Sequence, residues 1–221
     1  MTKPNLHFFF GEDTYSAWHK SQFWKREFEK KYGDFNVLSF EGENMSAADF
    51  REAVDSVPFL GEKKFIVVRD FLRDGKDEEQ KTVAEKLEDI ADFSVVLFLE
   101  QQKPDARTTL FKTLKKLAKM QPFEPLVGPQ LSAWIQQKVQ ERQGQIGYRE
   151  ANLLAETVGP NLWQMTQEIE KLTMYAGGKP IPSEAIENMT SPNLATSIFK
   201  LTDQLGTRNA KAALKTLNVL L

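Results

Sequence analysis

If this chain performs chemistry, the place for it is the turn where the first apolar run, Leu6–Phe10, gives way to Gly11-Glu12-Asp13-Thr14-Tyr15-Ser16. A strand, a glycine turn and a helix in that order are the setting of a phosphate-binding loop. Such a loop needs a second glycine and a lysine, because backbone N–H groups and an ammonium together neutralise the phosphate. Both are missing here, and Glu12 and Asp13 stand where the anion would bind. An Asp13 that caps the helix would also take up its free N–H groups. Gly75-Lys76 and Gly178-Lys179 lack the rest of the motif. Glu100, after the apolar run Val95–Leu99, could be argued as a metal-binding acid; without a phosphate loop to serve, it reads as a strand-end acid in a loop. The chain has no cysteine and two histidines, His7 and His19, which leaves no thiolate chemistry and too few imidazoles for most metal or histidine-dependent sites. There is no G-x-S-x-G elbow, no H-E-x-x-H pair and no glycine-rich dinucleotide fingerprint. The expectation is a non-catalytic protein with no cofactor and no metal, whose function is binding.

Two stretches are suited to binding. In Ser56-Val57-Pro58-Phe59-Leu60-Gly61-Glu62-Lys63-Lys64 a helix ends, and two large apolar residues sit between a proline and a glycine before the next strand. Phe59 and Leu60 are either folded back on the core or exposed as an anchor for a partner's apolar pocket. The second stretch is basic. Residues 101–120 hold six basic residues and one acid, whereas residues 74–92 hold eight acids and three lysines. On a helix read as Asp105–Lys119, Lys112, Lys115, Lys116 and Lys119 fall opposite the leucines, with Arg107 just upstream. That face is either merely solvated or a local contact to a phosphate backbone or an acidic partner.

The elements that must position these residues follow from periodicity. With 221 residues, 41% hydrophobic and 27% charged, the chain is long enough for one large domain or two smaller ones. A net charge of −2 argues against a surface that grips duplex DNA throughout. No apolar run is long enough to span a membrane and no signal peptide opens the chain, so a soluble, cytoplasmic protein with no membrane contact is expected. Asp13 or Thr14 caps a helix to about Tyr32 with an apolar stripe at Tyr15, Trp18, Trp24, Phe28 and Tyr32. Phe35–Phe40 alternates as a strand. Ser46-Ala-Ala-Asp49 opens a helix with an apolar face at Phe50, Val54 and Val57. Phe65–Val68 and Val95–Leu99 are continuous apolar runs, as in central parallel strands, with a surface helix over Asp77–Ala91 between them. With a last strand near Gln121–Glu124, five strands alternate with four helices: an α/β, doubly wound parallel sheet without a P-loop, over residues 1–125.

Past the hinge Pro125-Leu-Val-Gly-Pro129 the pattern becomes all-helical: Leu131–Arg142, Tyr148–Val158, Leu162–Ala176 and a short helix from Ser183 to about Met189. These make a small second domain over 126–191. After Ser191-Pro192-Asn193, amphipathic helices over Ile198–Leu205 and Asn209–Leu221 begin a third segment, 192–221, whose pattern breaks off at Leu220-Leu221 as if cut short.

Taken together these blocks resemble the delta subunit of the bacterial DNA polymerase III clamp loader. The resemblance rests on Gly11-Glu12-Asp13 after the opening strand, the Val57–Val68 segment, Asp105-Ala-Arg107 leading into Leu110-Phe-Lys112, Val158–Leu162 leading to Glu168–Leu172, and Ile198–Asp203 leading to Asn209–Ala213, in that order. It implies an AAA+-like first domain without ATPase function, a helical lid domain and the start of a helical collar. It implies a subunit that binds and opens the sliding clamp (the beta subunit), beside ATPase and delta-prime subunits, and that meets primed DNA through the complex. The hydrophobic plug of that family falls by position on Pro58, Phe59 and Leu60. An atypical ATPase, or a DNA-binding module using the Lys112–Lys119 face, is the alternative.

Overall fold

The computed structural model describes residues 2–190, together with 202, 204–207, 210, 214 and 217. The chain divides into two compact units, residues 1–124 and 125–221.

The first unit is built on five parallel strands: β1 (Leu6–Phe10), β2 (Val37–Glu41), β3 (Lys64–Arg69), β4 (Ser94–Glu100) and β5 (Lys119–Pro122), in the order β2-β3-β4-β1-β5. Every residue of β4 is buried and β3 is buried up to Arg69, as their unbroken apolar sequences require of strands covered on both faces. The edge strands β2 and β5 are partly exposed. The chain first steps from β1 to the far edge and then returns strand by strand. Right-handed crossovers therefore put the first helix on one face and the later ones on the other. Helix α1 (Thr14–Tyr32) lays Ala17, Trp24 and Phe28 against Phe9, Phe65, Val67, Val95, Leu97 and Leu99. On the opposite face α2 (Ala47–Asp55), a single turn α3 (Phe71–Asp74), α4 (Asp77–Lys86) and α5 (Thr109–Leu117) cover Leu6, Phe8, Ile66, Val68, Val96 and Phe98.

Local signals set the helix starts. Asp13 accepts from the Ser16 N–H at 2.9 Å and caps α1; Ser46 and Asp49 form a reciprocal capping box on α2; Thr108 caps α5 through the Phe111 N–H. The second unit holds α6 (Pro129–Glu141), α7 (Tyr148–Val158), α8 (Leu162–Ala176) and α9 (Ser183–Met189) around buried Leu131, Ile135, Leu154, Met165, Ile169 and Ile186. Their boundaries lie within two residues of those read from the sequence, because Pro129, Gly147, Asn161 and Gly177 punctuate them.

Four expectations need correction. Phe35 and Asn36 are not strand but belong to a short 3₁₀ turn, Asp34–Asn36, held by the Asn36 side chain. The helix expected to run through Lys119 stops at Leu117, and Lys119 is the first residue of β5, because pairing with His7 of β1 claims that backbone. The helix expected over Asp77–Ala91 ends at Lys86 and continues as a 3₁₀ turn, Leu87–Asp89. Val57, expected on the buried face of α2, lies beyond the helix end at Asp55 and is 80% exposed. The expected helices over Ile198–Leu205 and Asn209–Leu221, with their ending, fall largely outside the described residues.

Candidate protein-interaction site

All five strands run the same way, so their amino ends share one edge of the sheet and their carboxyl ends the other. The turn between α2 and β3, residues 56–63, lies at the amino edge, and two ties shape it. At its base the buried Lys64 donates through Nζ to the Ser56 carbonyl and, at 2.9 Å, to Ser56 Oγ, placing a cation at the carboxyl end of α2. Desolvation lowers the Lys64 pKa, and Asp55 partly restores it. In its middle Asn36, 3% exposed, reaches across from the turn before β2. Its Oδ1 accepts from the Phe59 N–H at 2.7 Å and its Nδ2 donates to the Phe59 carbonyl at 2.8 Å and to the Tyr32 carbonyl at 2.5 Å.

Held this way, the turn shows its apolar side chains to solvent. Phe59 is 61% exposed, Leu60 92% and Pro58 half-buried. Leu60 has φ +50°, a left-handed conformation that a leucine seldom adopts, at a cost of about 1–2 kcal/mol. The strain turns an apolar side chain outward where a glycine or asparagine would be more comfortable. Phe35 stands with its ring 5.7 Å from that of Phe59 at 62°, and is itself 76% exposed. Of the two readings open from sequence, burial against the core is excluded for Phe59 and Leu60. Sequence reasoning missed Phe35, Asn36 and Lys64; the polar run Gly33-Asp-Phe-Asn36 is a turn signal that could have separated Phe35 from the strand.

At the opposite, carboxyl edge lies the crevice between β1 and β4 where the winding reverses, the usual ligand position of such sheets. On the other side of β1, toward β5, the chain packs closely on itself. Gly11, at φ +137°, is flush against Phe123: a Cβ there would lie 2.2 Å from the Phe123 carbonyl oxygen. That oxygen accepts from the Asp13 N–H at 3.0 Å, and Asp13 caps α1. Glu100, expected as a strand-end acid in a loop, is indeed at the strand end but as the last residue of β4, and it is 3% exposed. Its Oε1 accepts from the Leu72 N–H at 2.7 Å, and desolvation, opposed by hydrogen bonds from the Leu72 and Arg73 backbone, raises its pKa to about 8. Among the described residues no group of His, Asp and Glu is arranged to hold a metal ion.

The basic residues are partly brought together. Lys112, Lys115 and Lys116 are exposed on α5, and Lys119 is exposed on β5. Lys116 lies 3.6 Å from Glu88, so part of its charge faces the acidic stretch beside it. Arg107 sits in the loop before α5, chelated by Asp105 at 2.7 Å; this hydrogen-bonded pairing draws the Asp105 pKa down to about 2. None of the described helices is long and apolar enough to cross a membrane.

The family model for the DNA polymerase III delta subunit matches residues 7–124. No curated protein matches the sequence. Among solved structures the chain is similar to the Bacillus subtilis DNA clamp loader delta protein, at 23% identity and a TM-score of 0.60, with 98% of this chain and 67% of that one covered. It is also similar in fold to the Thermotoga maritima RuvB Holliday junction branch migration motor, at 10% identity and a TM-score of 0.58, over 82% of this chain and 60% of that one. Domain III of the Thermotoga maritima replication initiation protein DnaA aligns at 16% identity with a TM-score of 0.54, covering 85% of both chains. The first unit thus has the AAA+-like α/β fold, and the chain spans roughly three-fifths to two-thirds of the length of the first two of these structures. With its family model covering more than half of the residues, the chain belongs to the DNA polymerase III delta subunit family.

Proposed function

We propose that this chain acts in a clamp loader as the subunit that grips and opens the sliding clamp, with Pro58, Phe59 and Leu60 entering an apolar pocket of the clamp. The observation that carries the reading is the turn before β3. It offers two large apolar side chains to water, one of them on a strained backbone, and a buried amide and a buried lysine hold it in shape. A turn kept rigid in an unfavourable display is what a docking element needs, since little ordering remains to be done on binding.

The chain contributes no ATP hydrolysis in this reading. Asp13 takes up an N–H at the start of α1 that a phosphate would use, Gly11 is packed against Phe123, and no lysine stands in the turn Gly11–Ser16. ATP turnover belongs to the sister ATPase subunits, reached with delta-prime through a collar beginning near residue 192, with residues 126–191 as the lid. Primed DNA meets the assembly as a whole; the exposed Lys112, Lys115, Lys116 and Lys119 favour a local phosphate contact there, which a steep salt dependence of DNA binding by the isolated chain would support. The test of the main reading is capture of purified sliding clamp by the chain, with ATP titrated calorimetrically in parallel. Clamp binding without ATP binding is expected. Absence of clamp binding, or micromolar ATP affinity, overturns it.

A further inference from the structure

We infer that Asn36 is the positioning residue of the docking turn and that Phe35 is its second ring, so that the surface offered to the clamp is an aromatic pair drawn from two separate segments of the chain. This rests on the reading just proposed for Phe59.

Asn36 is buried, and the side-chain hydrogen bonds it makes go to backbone: one received from Phe59, one given to Phe59 and one given to Tyr32. A side chain that accepts from and donates to the same residue, 23 positions away, acts as a strand partner would and fixes that residue's φ and ψ. In an otherwise exposed turn, this contact decides where the Phe59 ring points. It also shapes the next residue: with Phe59 held, Leu60 is carried into the left-handed region. Gly61 then passes close by, where a Cβ would lie 3.0 Å from Asn36 Nδ2. A larger residue at 61 would press on the same amide.

Phe35 precedes Asn36 directly, so the contact that fixes Phe59 also brings Phe35 beside it, edge to face at 5.7 Å. The pair gains little from this arrangement in the free chain, since both rings remain mostly in water. Two rings held edge to face suit an apolar pocket broad enough for both, and ordering both before contact spares the association that entropy. The occupant is therefore an apolar pocket of the clamp that touches Phe35 as well as Phe59.

The experiment uses the 221-residue chain and purified sliding clamp, with association and dissociation followed on an immobilised clamp. Wild type is compared with Phe59→Ala, Phe35→Ala and Asn36→Ser, whose short side chain cannot span to Phe59. Amide hydrogen exchange is read at Phe59 and, as an internal control, at Val67 and Leu97 of the central strands. Phe35→Ala, at an exposed position, is expected to fold as wild type and to bind about 5- to 30-fold more weakly, mainly through faster dissociation. Asn36→Ser is expected to speed exchange at Phe59 at least tenfold while Val67 and Leu97 stay protected, and to weaken clamp binding with it. If Phe59→Ala loses binding while Phe35→Ala and Asn36→Ser bind as wild type, the inference is overturned and the docking role of Phe59 stands. If Phe59→Ala binds as wild type, that role falls and the two-ring surface falls with it. Should Asn36→Ser unfold, Phe35→Ala decides the question alone.

Discussion

Replacing Phe59 by alanine separates a docking residue from a core residue, and the structure fixes the size of both effects. Phe59 is 61% exposed, and for a phenylalanine of about 200 Å² roughly 120 Å² remains for a partner to cover. At about 25 cal/mol per Å² that surface is worth ~3 kcal/mol, or about 150-fold in affinity if the clamp covers it fully. The folding side is smaller. Among the described residues the ring pairs edge to face with Phe35, and the two Asn36 hydrogen bonds to Phe59 go to its backbone, which alanine keeps. The loss to folding is then about 1 kcal/mol, a fall in melting temperature of about 2–4 °C for a chain of this length. Calorimetric titration of clamp and a thermal melt of the same preparations measure the two quantities. A fully buried phenylalanine would instead lose about 3–5 kcal/mol of stability. A melt lowered by ten degrees or more, or clamp affinity within a factor of three of wild type, would refute the reasoning.

Leu60→Asn should act in opposite directions on the two properties. Asparagine accepts the left-handed backbone at φ +50° and so should raise stability by up to about 1 kcal/mol in urea unfolding, while clamp binding weakens several-fold because an apolar side chain is lost. Gly11→Ala should lower stability by about 2–4 kcal/mol, through both its positive φ and the closeness of the Phe123 carbonyl, and the urea midpoint should fall accordingly. Two groups, the buried Glu100 and the partly buried His7, contribute to the pH profile in opposite senses. Glu100 titrates near 8 when folded and in the ordinary carboxylate range when unfolded; the folded state therefore holds the extra proton between these values, and stability declines as pH rises through that window, by at most about 1.4 kcal/mol per unit. Glu100→Gln, which keeps an acceptor for the Leu72 N–H, should flatten the decline. His7, brought to about 4 chiefly by burial and then by Lys119, works the other way: the folded state holds fewer protons below the ordinary histidine value, so stability from this group is lost as pH falls from about 6.5 to 4, and replacing His7 by glutamine should remove that loss in unfolding titrations.

Much of the first unit was legible because its signals are local and agree with one another. The continuous apolar runs of β3 and β4 state their own burial, and the capping residues Asp13 and Ser46 name the first helical residues beside them. The helices of the second unit were legible for the same reason, set off by glycine, proline and asparagine. What failed was wherever a distant partner decided the outcome. Phe35 alternates with its neighbours as a strand residue would; only the reach of Asn36 to Phe59, 23 residues on, shows that the chain is still turning there. Lys119 continues the lysine spacing of α5, yet the register with β1 makes it strand. Glu100 looked like a loop acid because its burial depends on the α3 turn, too short at four residues to leave a periodic trace. Phe59 and Leu60 could be located but not oriented, since the sequence does not reveal the hydrogen bonds that face them outward.

The Phe123 tie has a mechanical consequence. Phe123 donates its N–H to the Phe10 carbonyl at 2.8 Å and accepts at its own carbonyl from Asp13, and its ring lies 5.2 Å from that of Phe9. Beyond it, only Glu124 remains before the second unit begins. A pull on the chain at Pro125 thus meets almost no slack. It is passed at once to an edge strand whose four residues are laddered to β1, itself flanked on the other side by β4. Force entering there is carried to the middle of the sheet rather than spent in fraying an end. Under the clamp-opening role proposed above, tension along the backbone would enter the sheet by this strand and not by a free end.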